Sequence, residues 1–157
     1  MNVELIVVGK TDSAQVNALV DEYKARIGHY TRFGITVIPD IKNTRSLSEA
    51  QQKSAEGEAI LKLLAPSDFV VLMDERGKEY TSEEFADWLQ KRMASGCKRL
   101  CMVIGGPYGF SQEVYARADS KIALSKMTFS HQIVRAIFAE QLYRAFTIIN
   151  NEPYHHK

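Results

Sequence analysis

Val103-Ile104-Gly105-Gly106-Pro107-Tyr108-Gly109-Phe110 carries an apolar strand directly into a glycine-rich turn, and Ser111 behind it is placed to cap a helix. Strand, tight turn and helix in that order form the repeating unit of an α/β fold. Three glycines within five positions also let another molecule approach bare main chain, because glycine admits positive φ and carries no Cβ. The same residues suit an ordinary strand-to-helix turn, and alone they leave both readings open.

Working outward, the same alternation recurs. Val3 to Val8 reads as a strand, followed by a helix capped at Asp12 or Ser13, with Val16, Leu19, Val20, Tyr23 and Ile27 on one face and Gly28 at its end. Gly34 to Pro39 is a second strand, Asp40 to Ser48 a polar loop, and Leu47 to Leu64 a helix that stops before Pro66. Asp68 to Met73 is almost continuously apolar, as a strand covered on both faces should be. Thr81-Ser82-Glu83-Glu84 supplies a capping box for a helix through Phe85, Trp88 and Leu89 that ends near Gly96. Leu100 to Ile104 and Lys121 to Leu124 are the remaining strands. From His131 to Ile149 the apolar positions Val134, Ile137, Phe138, Leu142, Ala145 and Ile149 recur at helical spacing. These elements predict one domain over residues 1–157: a mainly parallel sheet with helices on both faces.

Composition narrows the function. Twenty Lys and Arg against 19 Asp and Glu leave a formal charge of +1, so no global field draws in nucleic acid, and any RNA contact needs a local basic patch. The two cysteines, Cys97 and Cys101, cannot make a four-ligand metal site by themselves and read as reduced thiols of a cytoplasmic protein. No apolar stretch is long enough for a bilayer, and Met1-Asn2-Val3-Glu4 has no basic signal region.

Two phosphate-binding motifs are imitated and fail. Gly9-Lys10-Thr11 mimics the end of a P-loop, but Glu4 stands where that motif needs its first glycine. Gly105, Gly106 and Gly109 are spaced G-G-x-x-G after a late strand, and Lys121 and Ser125 occupy the region where a dinucleotide fold places its acidic ribose ligand. The strand ends after Met73, Ile104 and Leu124 are instead three places where loops of an open α/β sheet converge on a ligand. Leu124-Ser125-Lys126-Met127-Thr128-Phe129, apolar at its ends, suits wrapping a small molecule, although Met127 taken alone reads first as a core side chain. The tail Asn150 to Lys157 has the composition of a frayed end, yet its tyrosine, two histidines and lysine are also the parts of a looped-RNA contact.

Val7-Val8-Gly9-Lys10, Ile104-Gly105-Gly106-Pro107, Leu124 to Phe129, Leu142-Tyr143-Arg144-Ala145 and the closing Pro153-Tyr154-His155, taken in order, resemble the RlmH family over essentially the whole chain. The resemblance implies a SPOUT-type fold with a C-terminal trefoil knot. It implies methyl transfer from S-adenosylmethionine to N3 of a pseudouridine in 23S ribosomal RNA, within the assembled ribosome, by a cytoplasmic homodimer that binds neither DNA nor membrane. Carried over by position, Met73, Gly105 and Leu124, Ser125, Lys126, Met127, Thr128 and Phe129 would hold the cofactor, and Tyr154 and His155 would lie near the target base. Where some relatives have arginine after that histidine, this chain has His156, so His156, Lys157, Arg135 and Arg144 are the candidates for phosphate contact. No metal is needed for an in-line displacement from a sulfonium. The competing readings are a non-catalytic RNA- or ribosome-binding module on the same fold and a nucleotide-binding protein that uses Gly9-Lys10-Thr11.

Overall fold

In the computed structural model, which describes residues 1–156, the apolar run around Leu100–Ile104 becomes the central strand of a five-stranded sheet. The strands are β1 (Asn2–Val8), β2 (Phe33–Ile38), β3 (Phe69–Glu79), β4 (Arg99–Ile104) and β5 (Ser120–Ala123). Their spatial order is β2-β1-β4-β3-β5, and every neighbouring pair is parallel. Parallel neighbours need crossovers, and the helices supply them: α1 (Ala14–Ile27), α2 (Glu49–Lys62), α3 (Ser82–Ala94), α4 (Gln112–Arg117) and α5 (Ile133–Ile149).

Alternation along β4 shows how both faces are covered. Leu100, Met102 and Ile104 pack with Ile27 of α1, Phe85 and Leu89 of α3 and Phe138 and Leu142 of α5. Cys101 and Val103 point the other way and join Ile60 of α2 and Val114 of α4. The sheet is thus sandwiched between α1, α3 and α5 on one face and α2 and α4 on the other, as the alternation of strands and helices predicts.

Local chemistry fixes the helix starts. Ser13 and Ser111 accept from the backbone amides of Val16 and Val114. Thr81 with Glu84 completes the expected capping box, and Ser48 with Gln51 forms a second one that starts α2 at Glu49 and leaves Leu47 outside it. Helix α5 begins at Ile133 rather than His131. The Gln132 side chain does not cap it; it donates to the Lys10 carbonyl and accepts from the Asp12 amide, binding the helix start to the loop after β1.

The largest departure from the sequence reading is in β3, which does not stop at Met73. Ile122 of β5 stands opposite both Met73 and Lys78, so Asp74-Glu75-Arg76-Gly77 loops out and the strand then resumes pairing. Gly77 makes the return possible, since a Cβ there would lie 2.6 Å from the Ile122 amide nitrogen. Among the described residues no helix is long and apolar enough to cross a membrane. Cys97 and Cys101 are both free thiols.

Candidate active site

The excursion of β3 after Met73 and the carboxyl ends of β4 and β5 open onto a cavity of about 650 Å3. Its first wall is Met73 with the looped-out Asp74, Glu75 and Arg76; its second is the turn from Ile104 to Phe110; its third is the segment that follows β5, with Leu124, Ser125, Met127, Thr128 and Phe129. Helix α2 adds Glu49 and Lys53 at the rim. The three loops expected to converge do so, although Lys126 is exposed and does not line the space.

The glycine turn is closed by the Gly109 amide donating to the Gly106 carbonyl at 3.2 Å, with Gly109 at φ 80°. It is gripped on two sides. A Cβ on Gly105 would lie 2.9 Å from Cε1 of the buried Phe110, and one on Gly106 would lie 2.6 Å from Oε1 of Glu56. Glu56 is 3% exposed; Gln52 donates to its Oε2 at 3.2 Å and Oε1 has no partner, so burial pushes its carboxyl above the usual range. Gly105 is therefore glycine because Phe110 fills the space beneath it, rather than because a ligand does. The turn still offers bare main chain to the cavity.

The first and second walls are tied together. Tyr115 of α4 donates a short hydrogen bond from its hydroxyl to Asp74, whose other oxygen accepts from the Arg76 amide at 2.8 Å. Arg76 Nη2 donates to the Tyr115 hydroxyl oxygen at 2.8 Å, and the Tyr115 ring stands edge-on to Phe110 with centroids 5.8 Å apart. Burial raises the Tyr115 phenol, which keeps it a donor. Sequence reading missed Asp74, Arg76 and Tyr115; the signal was the polar Asp-Glu-Arg-Gly interrupting an otherwise apolar strand.

A glycine-lined cavity of this volume on the sheet is a candidate ligand site, and a family comparison says what kind of protein carries it. The family described as "Predicted SPOUT methyltransferase" matches residues 1–155. This chain belongs to the SPOUT methyltransferase family. Proteins named ribosomal RNA large subunit methyltransferase H from Christiangramia forsetii and Parabacteroides distasonis are 60% and 59% identical to it over 157 residues. A third of that name from Flavobacterium psychrophilum is 55% identical. All three alignments cover the whole of both chains.

In this SPOUT methyltransferase the described tail residues, up to His156, do not line the cavity of their own chain. Tyr154 packs edge-on against Tyr143 at 4.7 Å and donates to Glu140 at 3.3 Å. Burial holds its phenol well above the ordinary value, so at neutral pH it is a donor and not a base. His155 is half-buried, with Nδ1 3.1 Å from Arg144 Nη1 and Nε2 3.4 Å from Glu83. A guanidinium only donates, so Nδ1 accepts and the proton of the neutral ring sits on Nε2.

The expected phosphate contacts are redistributed. Arg135 is 2% exposed and donates to the carbonyls of Val8 and His131 and to Thr11 Oγ1. It fastens α5 to the loop after β1, and a phosphate contact by it is corrected on that ground. Arg144 bonds Glu140 at 3.1 Å and lies over the Tyr154 ring at 4.7 Å, anchoring the tail. His156 is exposed, and Lys157 lies outside the described residues. Among the described residues no group of three or more His, Cys, Asp or Glu could hold a metal.

Proposed function

We propose that this SPOUT methyltransferase transfers a methyl group from S-adenosylmethionine to N3 of a pseudouridine in 23S ribosomal RNA of the assembled ribosome, acting as a cytoplasmic homodimer. The observation that carries the reading is one cavity shared by Met73, Gly105, Leu124, Ser125, Met127, Thr128 and Phe129, in a chain 60% identical over its full length to a protein named for that class of reaction.

The residues present fit the cofactor. Bare main chain at Gly105 and Gly106 suits the close approach of an adenosine, the segment from Leu124 to Phe129 supplies apolar side chains and further backbone groups, and Asp74 offers a carboxylate to a cationic or hydroxyl-bearing ligand. When bound, the cofactor would supply an electrophilic methyl group on a positively charged sulfur that would leave as a neutral thioether, and the N3 proton would pass to an acceptor. The chain's task is to hold the two reactants in line and keep water away. Tyr154 is protonated, so the candidate acceptor is Nδ1 of His155, which takes the proton once the Arg144 guanidinium bonded to it moves away. Since Tyr154 and His155 do not line their own cavity, they are proposed to serve that of the second subunit. Arg76, Lys53 and the exposed Lys126 and His156, together with Lys157, are the proposed phosphate contacts. The trefoil knot that the family resemblance implies belongs to the same proposal.

The test is to incubate the protein with labelled S-adenosylmethionine and ribosomes lacking the modification, then map the label by nuclease digestion and mass spectrometry. Label at N3 of pseudouridine supports the reading. Cofactor binding without rRNA label overturns the substrate, and label in neither place with no cofactor bound overturns the activity and favours an RNA-binding module. Mixing Gly105→Ala with His155→Ala chains tests the tail: activity above both parents supports a tail serving the second subunit, and no gain overturns it.

A further inference from the structure

The cavity mouth carries an aromatic side chain that the fold does not use. Of the seven tyrosines, the other six each contact another ring, a cation or a hydrogen-bond partner. Tyr108 alone of the seven has none of these among the described residues, and it is 43% exposed. Its backbone is nevertheless held firmly. Pro107 before it fixes φ, the Gly109 amide closes the turn behind it, and the next residue, Phe110, is 5% exposed and rooted between the sheet and α4. A large ring on a rigid turn, free of internal contacts, can receive a ligand without breaking any bond of its own.

Met127 lines the same cavity from the segment after β5 and is 78% exposed, the highest of the exposed large hydrophobic side chains. Its flexible thioether suits contact with an aromatic face. Lys53 and Arg76, both lining this cavity, add positive charge for a phosphate backbone. An aromatic platform with basic side chains around it is how proteins receive an unstacked base of single-stranded or looped RNA.

We propose that Tyr108, with Met127, forms the stacking platform that receives the target pyrimidine at the cavity mouth. The inference rests on the methyltransferase reading above and adds the residue that positions its substrate. One π face of the base lies on the Tyr108 ring, which directs the base edge carrying the reacting nitrogen into the cavity. The phenol hydroxyl has no part in this, so Phe or Trp serves equally at this position. Phe129 is a second exposed ring in this cavity, but it stands on the segment after β5 and not on the closed turn that fixes Tyr108.

The test measures ribosome KM, kcat and cofactor Kd for the full-length protein and for Tyr108→Ala, Tyr108→Phe and Met127→Ala, using undermodified ribosomes. Tyr108→Ala is expected to raise the ribosome KM about tenfold, the scale of one lost base–aromatic stack, with cofactor Kd unchanged. Tyr108→Phe should match the parent, and Met127→Ala should raise KM by a smaller factor. An unchanged KM in Tyr108→Ala overturns the proposal. An equal loss of cofactor affinity also overturns it, by making Tyr108 a wall of the cofactor site, while leaving the methyltransferase reading intact. A parent protein that methylates no rRNA overturns both readings and is seen before any variant is compared.

Discussion

The Arg144 guanidinium faces His155 Nδ1 at 3.1 Å while its Nε holds Glu140 at the same distance, so one side chain pins the tail to the middle of α5. Arg144→Ala removes both bonds and the cation over Tyr154. Amide exchange at Asn151 and Glu152, whose N–H groups bond the carbonyls of Ile148 and Thr147, should accelerate by about tenfold or more, while Tm falls little, because partly exposed pairs of this kind contribute about 1 kcal/mol or less. Arg144→Lys should not restore protection, since an ammonium cannot span both partners. Hydrogen exchange read by mass spectrometry decides it, and unchanged tail protection in Arg144→Ala would sink the idea.

Gly105 and Phe110 predict a coupled pair. Gly105→Ala forces a methyl group into the Phe110 ring and should cost about 1–3 kcal/mol, with cofactor affinity lost as the turn shifts. Phe110→Leu alone opens a cavity and also destabilises. The double variant should lose less than the two added together, because each substitution makes room for the other. Thermal unfolding of the four proteins measures the coupling, and strict additivity would show that the contact is unimportant.

Arg135 is a structural cation. Arg135→Met keeps much of the volume but leaves the Val8 carbonyl without its buried donor, at a cost of about 1–3 kcal/mol. For a chain of this size that lowers Tm by roughly 2–12 °C. Because the side chain is enclosed, rRNA affinity at a temperature where the variant is folded should not change its salt dependence. A reduced salt slope would restore Arg135 as a phosphate contact.

The two thiols should separate kinetically. Burial pushes Cys101 up to about 12, so its thiolate is absent from the folded protein at pH 8, whereas Cys97 is only half-buried. A thiol reagent at pH 8 should titrate one thiol in the native protein and both after denaturation. The sign for stability follows. The folded state favours the protonated thiol, so this contribution is intact below about 9 and is lost as the pH rises from there toward about 12.

The layers were legible because apolar period and cap chemistry are local signals: Ser13, Thr81 with Glu84 and Ser111 each cap the helix they suggest. The converging loops were legible for the same reason, as every parallel strand must end in one. Three features were not. Met73 looked like a strand end because Asp74-Glu75-Arg76-Gly77 is polar, and only the distant Ile122 shows that pairing resumes. Arg135 looked like a surface cation because its partners, Val8 and Thr11, lie more than 120 positions away in the chain. The partners of Tyr154 and His155 on α5 depend on how the chain turns back after Ile149, which composition does not encode.

The interrupted strand β3 has a consequence for how this site can change. Because β5 holds the chain on both sides of the excursion, at Met73 and again at Lys78, Asp74, Glu75 and Arg76 form an inset whose ends are anchored in the sheet. Substitution of the exposed Glu75 alters the polarity of the ligand chamber without shifting strand register, whereas Asp74 and Arg76 also hold Tyr115 of α4. Gly77 is the seam at which the inset rejoins the sheet. Ligand preference and architecture are thus assigned to different residues within a single strand, and the first is free to drift while the second stays constant.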